Sequence, residues 1–200
     1  MTTREKAALL GGLYLSQGLP YGFFTQSVPA LLRMQGASNT LVGLSFLLML
    51  PWGLKFLWAP LVDRHGSARW GRRRSWILPL QAAGVLVLTL LAFIDPTGDM
   101  PWVLVGLLVI NVISATQDIA TDGLAVEVLA PEERGLGNGL QVGAYRLGMI
   151  IGGGALLIFL DELGWRNAFL GMAGLLVLAS LPILRHREAP PPVAPAAPHP

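Results

Sequence analysis

Five ionisable residues lie inside or at the edge of long apolar segments of this chain: Lys55, Asp118, Asp122, Glu127 and Arg146. A charge at the centre of a membrane-spanning helix costs about 2.5–3.5 kcal/mol on insertion scales. It persists mainly where it pairs with another charge or lines an aqueous path. The five sum to two positives and three negatives. A chain of this kind is constrained to fold as a bundle that turns its polar groups inward, and it reads as one half of a polar pathway through a bilayer.

Composition agrees. Hydrophobic residues make up 53% and charged residues 13%, against about 25% charge in an ordinary soluble domain; the mean hydropathy is +0.57. The net charge is only +2. No basic patch interleaved with aromatics occurs outside one short loop, which argues against nucleic acid as a partner. There is no cysteine, so disulfides and thiolate metal sites are excluded. His65, His186 and His199 have no second ligand at metal spacing, so neither metal nor cofactor is expected. No nucleophile–base set is visible, which argues against an enzyme.

A spanning helix needs about 20 mainly apolar residues. Six stretches meet that length: 7–32, 40–62, 75–94, 102–128, 138–160 and 167–184. Turn-forming or charged groups at 36–39, 63–74, 95–99, 131–135 and 161–164 separate them. The first stretch is too long for the h-region of a signal peptide and no cleavage site follows it, so it is expected as an uncleaved span. Residues 1–187 thus form the expected six-span, all-α membrane unit. Residues 188–200, rich in Pro and Ala, are expected to be a disordered tail or linker.

Orientation follows from the positive-inside rule. Arg4, Lys6, Arg64, Arg69, Arg72, Arg73, Arg74, Arg134, Arg185 and Arg187 fall on one side of the six-span map, and only Arg33 and Arg166 on the other. Both termini are therefore expected in the cytoplasm of a cell with the chain in its inner membrane.

Depth gathers the buried charges into a site. At 1.5 Å per residue, Lys55 lies roughly 11 Å, Asp122 roughly 9 Å, Arg146 roughly 12 Å and Asp118 roughly 15 Å from the cytoplasmic ends of their spans. Asp118 and Asp122 are four apart, hence on one helix face beside Gln117 and Thr121. Two neighbouring carboxylates in low dielectric resist joint ionisation unless Lys55 or Arg146 compensates. A proton-coupling site needs that arrangement; a static ion-pair network fastening helices together is the alternative. In the first span, Ser16-Gln-Gly-Leu-Pro-Tyr-Gly22 places Pro20 between glycines. Unwound backbone there would let Gln17, Tyr21 and Gln26, with Gln117, meet a polar solute. The other reading is a kink with small residues for close helix contact. Gln17 and Gln117 lie 100 residues apart, a faint echo of three-helix repeats of inverted topology. The loop from Asp63 and Arg64 through Gly71, Arg72, Arg73 and Arg74 is too rich in arginine for an ordinary turn, and would also attract anionic lipid.

That loop, Ala59-Pro-Leu-Val-Asp63-Arg64 followed by Gly71-Arg72-Arg73-Arg74, resembles the signature between spans two and three of the major facilitator superfamily. Pro60 and a longer spacer depart from the commonest form. Gly164-Trp165-Arg166 with Phe169 resembles the superfamily's usual start of span six. Tyr14-Leu-Ser-Gln-Gly-Leu-Pro-Tyr-Gly-Phe-Phe24, Lys55-Phe-Leu-Trp-Ala-Pro-Leu-Val-Asp63-Arg64 and Gln117-Asp-Ile-Ala-Thr-Asp-Gly123 resemble, more narrowly, the AmpG-type muropeptide permease and acetyl-coenzyme A transporter branch. The resemblance implies the N-terminal half of a major facilitator fold (3+3 inverted repeats) and a proton-driven carrier of a small polar solute by alternating access. For bacterial members it implies uptake of anhydromuropeptides for peptidoglycan recycling. That family has twelve spans in two halves, so a second six-span half, a copy of this chain or a separate protein, is the expected partner. A truncated or regulatory, non-transporting half is the alternative. The six-span map predicts that cysteines introduced at Ser67 and Gly98 are labelled from opposite faces of the membrane by an impermeant reagent. Labelling from the same face would refute the map.

Overall fold

The computed structural model describes residues 1–67, 69–96 and 98–188, the side chains of 159 and 161 excepted. The expected tail beyond Glu188 lies outside the described residues. Among the described residues the chain is helical, with a single isolated bridge, Ser67 to Gly71. Among these residues five helices are long and apolar enough to cross a membrane: Asn39–Leu57, Arg74–Leu91, Met100–Val128, Pro131–Ile158 and Glu162–Arg185. The expected span at 7–32 is not among them. Its helix, α1 (Thr3–Gly22), is long enough, but it carries Ser16, Gln17 and a charged first turn.

Thr2 starts α1 with a capping box: its hydroxyl accepts from the Glu5 N–H, and the Glu5 carboxylate accepts from the Thr2 N–H at 2.7 Å. The two bonds satisfy donors that the first turn leaves free. Pro20 does not unwind the helix as expected. The helix continues, and the irregularity falls one turn later as a π-helical segment, Phe23–Ser27, before α2 (Val28–Met34). Backbone contact explains the continuity. A Cβ on Gly18 or Gly22 would collide with the carbonyls of Tyr145 or Met149; one on Gly148 or Gly152 would collide with those of Leu15 or Leu19. The glycines of α1 and of α8 (Arg134–Met149), which runs on through a second π segment at Ile150–Ala155, thus mesh backbone to backbone. Lipid gives no hydrophobic drive between helices, so such close approach is what holds them. The Gly18-Leu-Pro-Tyr-Gly22 region therefore makes close helix contact.

The second expected span is a chain of short pieces: α3 (Asn39–Ser45), a 3₁₀ turn, α4 (Leu50–Leu54), a second 3₁₀ turn at Lys55–Leu57, and α5 (Ala59–Arg64). Pro51 and Pro60 each remove a backbone donor, and i→i−3 bonds such as Trp58 N–H to Lys55 carbonyl (3.2 Å) replace the lost ones. α6 (Arg74–Leu91) and α7 (Met100–Val128) are regular. α9 (Leu156–Arg185) breaks only at Gly164, whose φ of 77° suits glycine, so the expected gap between the last two spans narrows to one residue.

Two apolar clusters fill the bundle. At the arginine-loop end Leu9, Leu13, Val62, Ile77, Leu124 and Ile183 pack together. At the other end Phe23, Leu88, Leu107, Phe169 and Met172 do. Between them runs a buried polar layer of Ser16, Gln17, Gln81, Asn111, Gln117 and Asp118. Gly152→Ala should destabilise the bundle by about 1–3 kcal/mol, the usual cost of overpacking, in thermal or denaturant unfolding in detergent. Gly154→Ala, where a Cβ meets nothing within 4 Å, should be neutral or stabilising. Equal effects would show that the α1–α8 approach is not tight.

Candidate functional site

The site hangs on α7. From the broken helix opposite, Trp52, Lys55 and Trp58 follow at three-residue spacing, and all three reach α7. The Trp52 indole N–H donates to the Asn111 side-chain carbonyl at 3.1 Å, and the Trp58 indole N–H to Thr116 Oγ1 at 3.1 Å. Between them the Lys55 ammonium forms an ion pair with Asp118. A 3₁₀ turn eclipses residues three apart, so the proline-induced segment is what aims Lys55. The Asp118 side chain is 8% exposed and that of Lys55 32%; the ammonium also lies 5.6 Å from the Trp52 ring centre.

Asp122 is held differently. Tyr14 of α1 donates its O–H to Asp122 Oδ1 at 2.9 Å, and Gln141 of α8 donates its amide N–H to the same oxygen at 3.3 Å. Beside them Gln17 donates to Thr121 Oγ1 at 3.0 Å, and Gln81 and Gln117 donate to Ser16 Oγ at 3.0 and 3.3 Å. Tyr21, Trp52 and Tyr145, from three helices, meet with ring centroids 5.3–6.0 Å apart, Trp52 edge to face with both tyrosines and the tyrosines tilted against each other.

Several expected placements change. Arg146 is exposed and makes no ion pair among the described residues; Tyr145, its neighbour, takes the inward face of α8, so the ion pair at this depth is that of Lys55 with Asp118. Glu127 belongs to a different cluster. It accepts from Arg72 at 2.6 Å and from Arg73 Nε at 3.1 Å, while Arg73 also pairs with Asp63 at 2.6 Å. Gln17, Pro20 and Gln117 are buried between helices. Tyr21 is half-buried and Gln26 exposed. Sequence reasoning missed Tyr14, Trp52, Tyr145 and Gln141. Tyr14 shares the i, i+3, i+7 stripe of Gln17 and Tyr21, a signal that was readable. Trp52 lies three residues before Lys55.

The arginine loop closes one end of this assembly. The Arg73 guanidinium occupies the space a Cβ on Gly123 would need. Arg74 donates to the Leu184 carbonyl at 2.8 Å, satisfying the last turn of α9. The backbone N–H groups of Arg73 and Arg74 donate to the Glu188 carboxylate, an anion at the positive end of α6; Glu188 therefore belongs to this cluster rather than to the expected tail. Gly71, with φ of 95°, makes room for it. Arg64 is exposed and makes no ion pair among the described residues. At the chain start, Lys6 donates to the Glu133 carboxylate at 2.5 Å.

With this geometry in view, the chain can be placed. It is a multi-pass helical membrane protein. Residues 6–103 match the family described as acetyl-coenzyme A transporter 1. The chain is 34% identical over 175 residues to the anhydromuropeptide permease of Escherichia coli K12, covering 87% of this chain and 36% of that protein. It is 40% identical over 158 residues to an uncharacterized protein of Haemophilus influenzae, covering 79% and 37%. An uncharacterized membrane protein of Saccharomyces cerevisiae is 35% identical over 150 residues, covering 62% and 26%. The chain is thus similar to proteins of the AmpG-type permease and acetyl-coenzyme A transporter branch, as its motifs indicated. It spans little more than a third of the length of the bacterial relatives.

The Lys55–Asp118 pair gives a direct test. Lys55→Met should destabilise the protein more than Lys55→Met combined with Asp118→Asn, because one buried charge left alone costs more than removing both. A double-mutant cycle on unfolding in detergent should return a coupling of about 1–3 kcal/mol. Additive losses would show that the two groups do not interact.

Proposed function

We propose that this chain forms a six-helix half of a proton-coupled secondary transporter of the major facilitator type, two three-helix repeats of inverted topology working by alternating access. The observation that carries this reading is the polar layer: an ion pair and a second carboxylate held at mid-bundle, with half-buried Tyr21 against Trp52 beside the pair. Polar groups at that depth cost too much to serve as bulk packing and mark solute or ion pathways. In this reading α1 is the sixth span. Its polarity is tolerable because α7, α8 and α9 surround it, leaving little of it to lipid.

Asp118, Asp122 and Lys55 are the coupling groups. Tyr21, Gln26 and Arg146 face the solute from this half, and Gln17 and Gln117 support them from behind. The cluster of Asp63, Arg73, Arg72 and Glu127 gates the cytoplasmic end, with Arg64 and Arg74 at its rim. The solute is an anhydromuropeptide, the cargo named for the Escherichia coli relative. The second six-helix unit, on the same polypeptide or another, supplies the opposite wall. The arginine asymmetry supports an inner-membrane location with cytoplasmic termini.

The test is uptake of radiolabelled anhydromuropeptide into proteoliposomes holding this chain with a second six-helix unit. An imposed proton gradient should drive accumulation, and a protonophore should abolish it. Accumulation indifferent to the gradient would overturn proton coupling, and absence of uptake would overturn the choice of solute.

A further inference from the structure

We propose that Asp122 alone is the carboxylate that takes up and releases the coupled proton, while Asp118 stays ionised against Lys55, with Tyr14 and Gln141 as positioning residues. This rests on the carrier reading above and divides the labour between two acids that the spacing of four residues makes look alike.

The division comes from their partners. Asp118 is buried and has a cation bonded to it, so its charge is already matched. Asp122 is half-buried and, among the described residues, bonded only by neutral donors. The charged or titratable groups facing it are Tyr14 from α1, Lys55 from the broken helix and Asp118 from its own helix; α8 offers the neutral Gln141. Lys55 is engaged by Asp118, and Arg146 is exposed without an ion pair, so among the described residues no cation is bonded to Asp122. A buried charge without a partner is relieved by protonation.

The geometry also provides the place. Both donors converge on Oδ1, and Oδ2 has no partner among the described residues. Nor is Oδ2 one of the sealed, unbonded polar atoms of the bundle, which are those of Gln17, Gln81, Arg74 and His186. A proton from the aqueous path therefore adds to Oδ2, forming one O–H bond and turning the carboxylate into a neutral acid. Tyr14 and Gln141 go on donating to Oδ1, now a carbonyl. Release on the other face reverses the step. Hydrogen bonds to a carboxylate are about twice as strong as those to a neutral acceptor. Protonation thus loosens α7 from α1 and α8, while the glycine contacts keep α1 and α8 together.

The experiment uses the purified protein in lipid nanodiscs and needs no solute. Infrared difference spectra across a pH titration should show the carbonyl stretch of one protonated carboxyl. Asp122→Asn should lose that band, Asp118→Asn combined with Lys55→Met should keep it, and Tyr14→Phe should keep it with a displaced midpoint. A band that survives Asp122→Asn, or no titrating band at all, overturns the proposal. Should Asp122→Asn not fold, an unmoved midpoint in Tyr14→Phe overturns it instead. In the proteoliposomes, Asp122→Asn should retain solute exchange at equal pH and lose gradient-driven accumulation. A variant that still accumulates, beside a proton-driven wild type, sinks the role of Asp122. A wild type without proton-driven uptake sinks the carrier reading instead, whatever the infrared band shows.

Discussion

The backbone contact between α1 and α8 sets the geometry on which the polar layer depends. Four glycines, two on each helix, let carbonyls of one helix rest where side chains of the other would stand. In lipid this dispersion contact replaces the hydrophobic drive of a soluble core. Its consequence reaches beyond packing. Tyr14 lies one turn before Gly18, and Gln141 two turns before Gly148, so locking the helices together delivers two hydrogen-bond donors to one oxygen of Asp122.

On the other flank of α7, the fold accepts broken backbone to aim one cation. Pro51 and Pro60 cost regular hydrogen bonds, and the 3₁₀ turn that compensates places Trp52, Lys55 and Trp58 along one line. Two indole N–H groups then fix the segment on either side of the ion pair. The Lys55 ammonium is consequently held rather than free to snorkel toward water, as a lysine on a regular helix near a membrane surface would. The same layer meets its two negative charges by two means: a fixed counter-charge for Asp118 and neutral hydrogen bonds for Asp122. Only the second leaves the charge itself adjustable.

Much of this was legible in the chain. Apolar length and turn residues located the helices to within a few residues, and opposite charge at matching depth paired Lys55 with Asp118. What was lost concerns azimuth. Arg146 and Tyr145 are adjacent, so a small rotation decides which faces the bundle, and only the meshing of Gly148 and Gly152 with α1 resolves it in favour of Tyr145. Glu127 sits close enough to the end of α7 for loop arginines to reach it, and distance along the helix could not reveal that they fold back. Gln17 and Gln117 seemed exposed to solute because a polar residue at depth demands a partner. The partners proved to be Thr121 and Ser16 within the bundle. The low apolarity of α1 has the same origin, since a helix enclosed by others satisfies its polar groups there.

The two charged clusters are not independent, because α7 carries both. Asp122, Gly123 and Glu127 lie within about 8 Å along the axis at 1.5 Å per residue. Gly123 is where the Arg73 guanidinium rests on the helix, while the same guanidinium bonds Glu127 one turn further and Asp63 across the loop. Arg73 is 7% exposed, so it has little freedom to follow a displaced α7 while keeping both carboxylates. Its own backbone is held by Glu188, which ties the loop to the chain beyond α9. A shift of α7 at Asp122 therefore has to be absorbed either by breaking the Arg73 bonds or by moving the loop and the end of α9 with it. Both routes carry a change at the buried carboxylate to the arginine-rich end of the bundle, which makes Gly123, with no chemistry of its own, the point where the two clusters are joined.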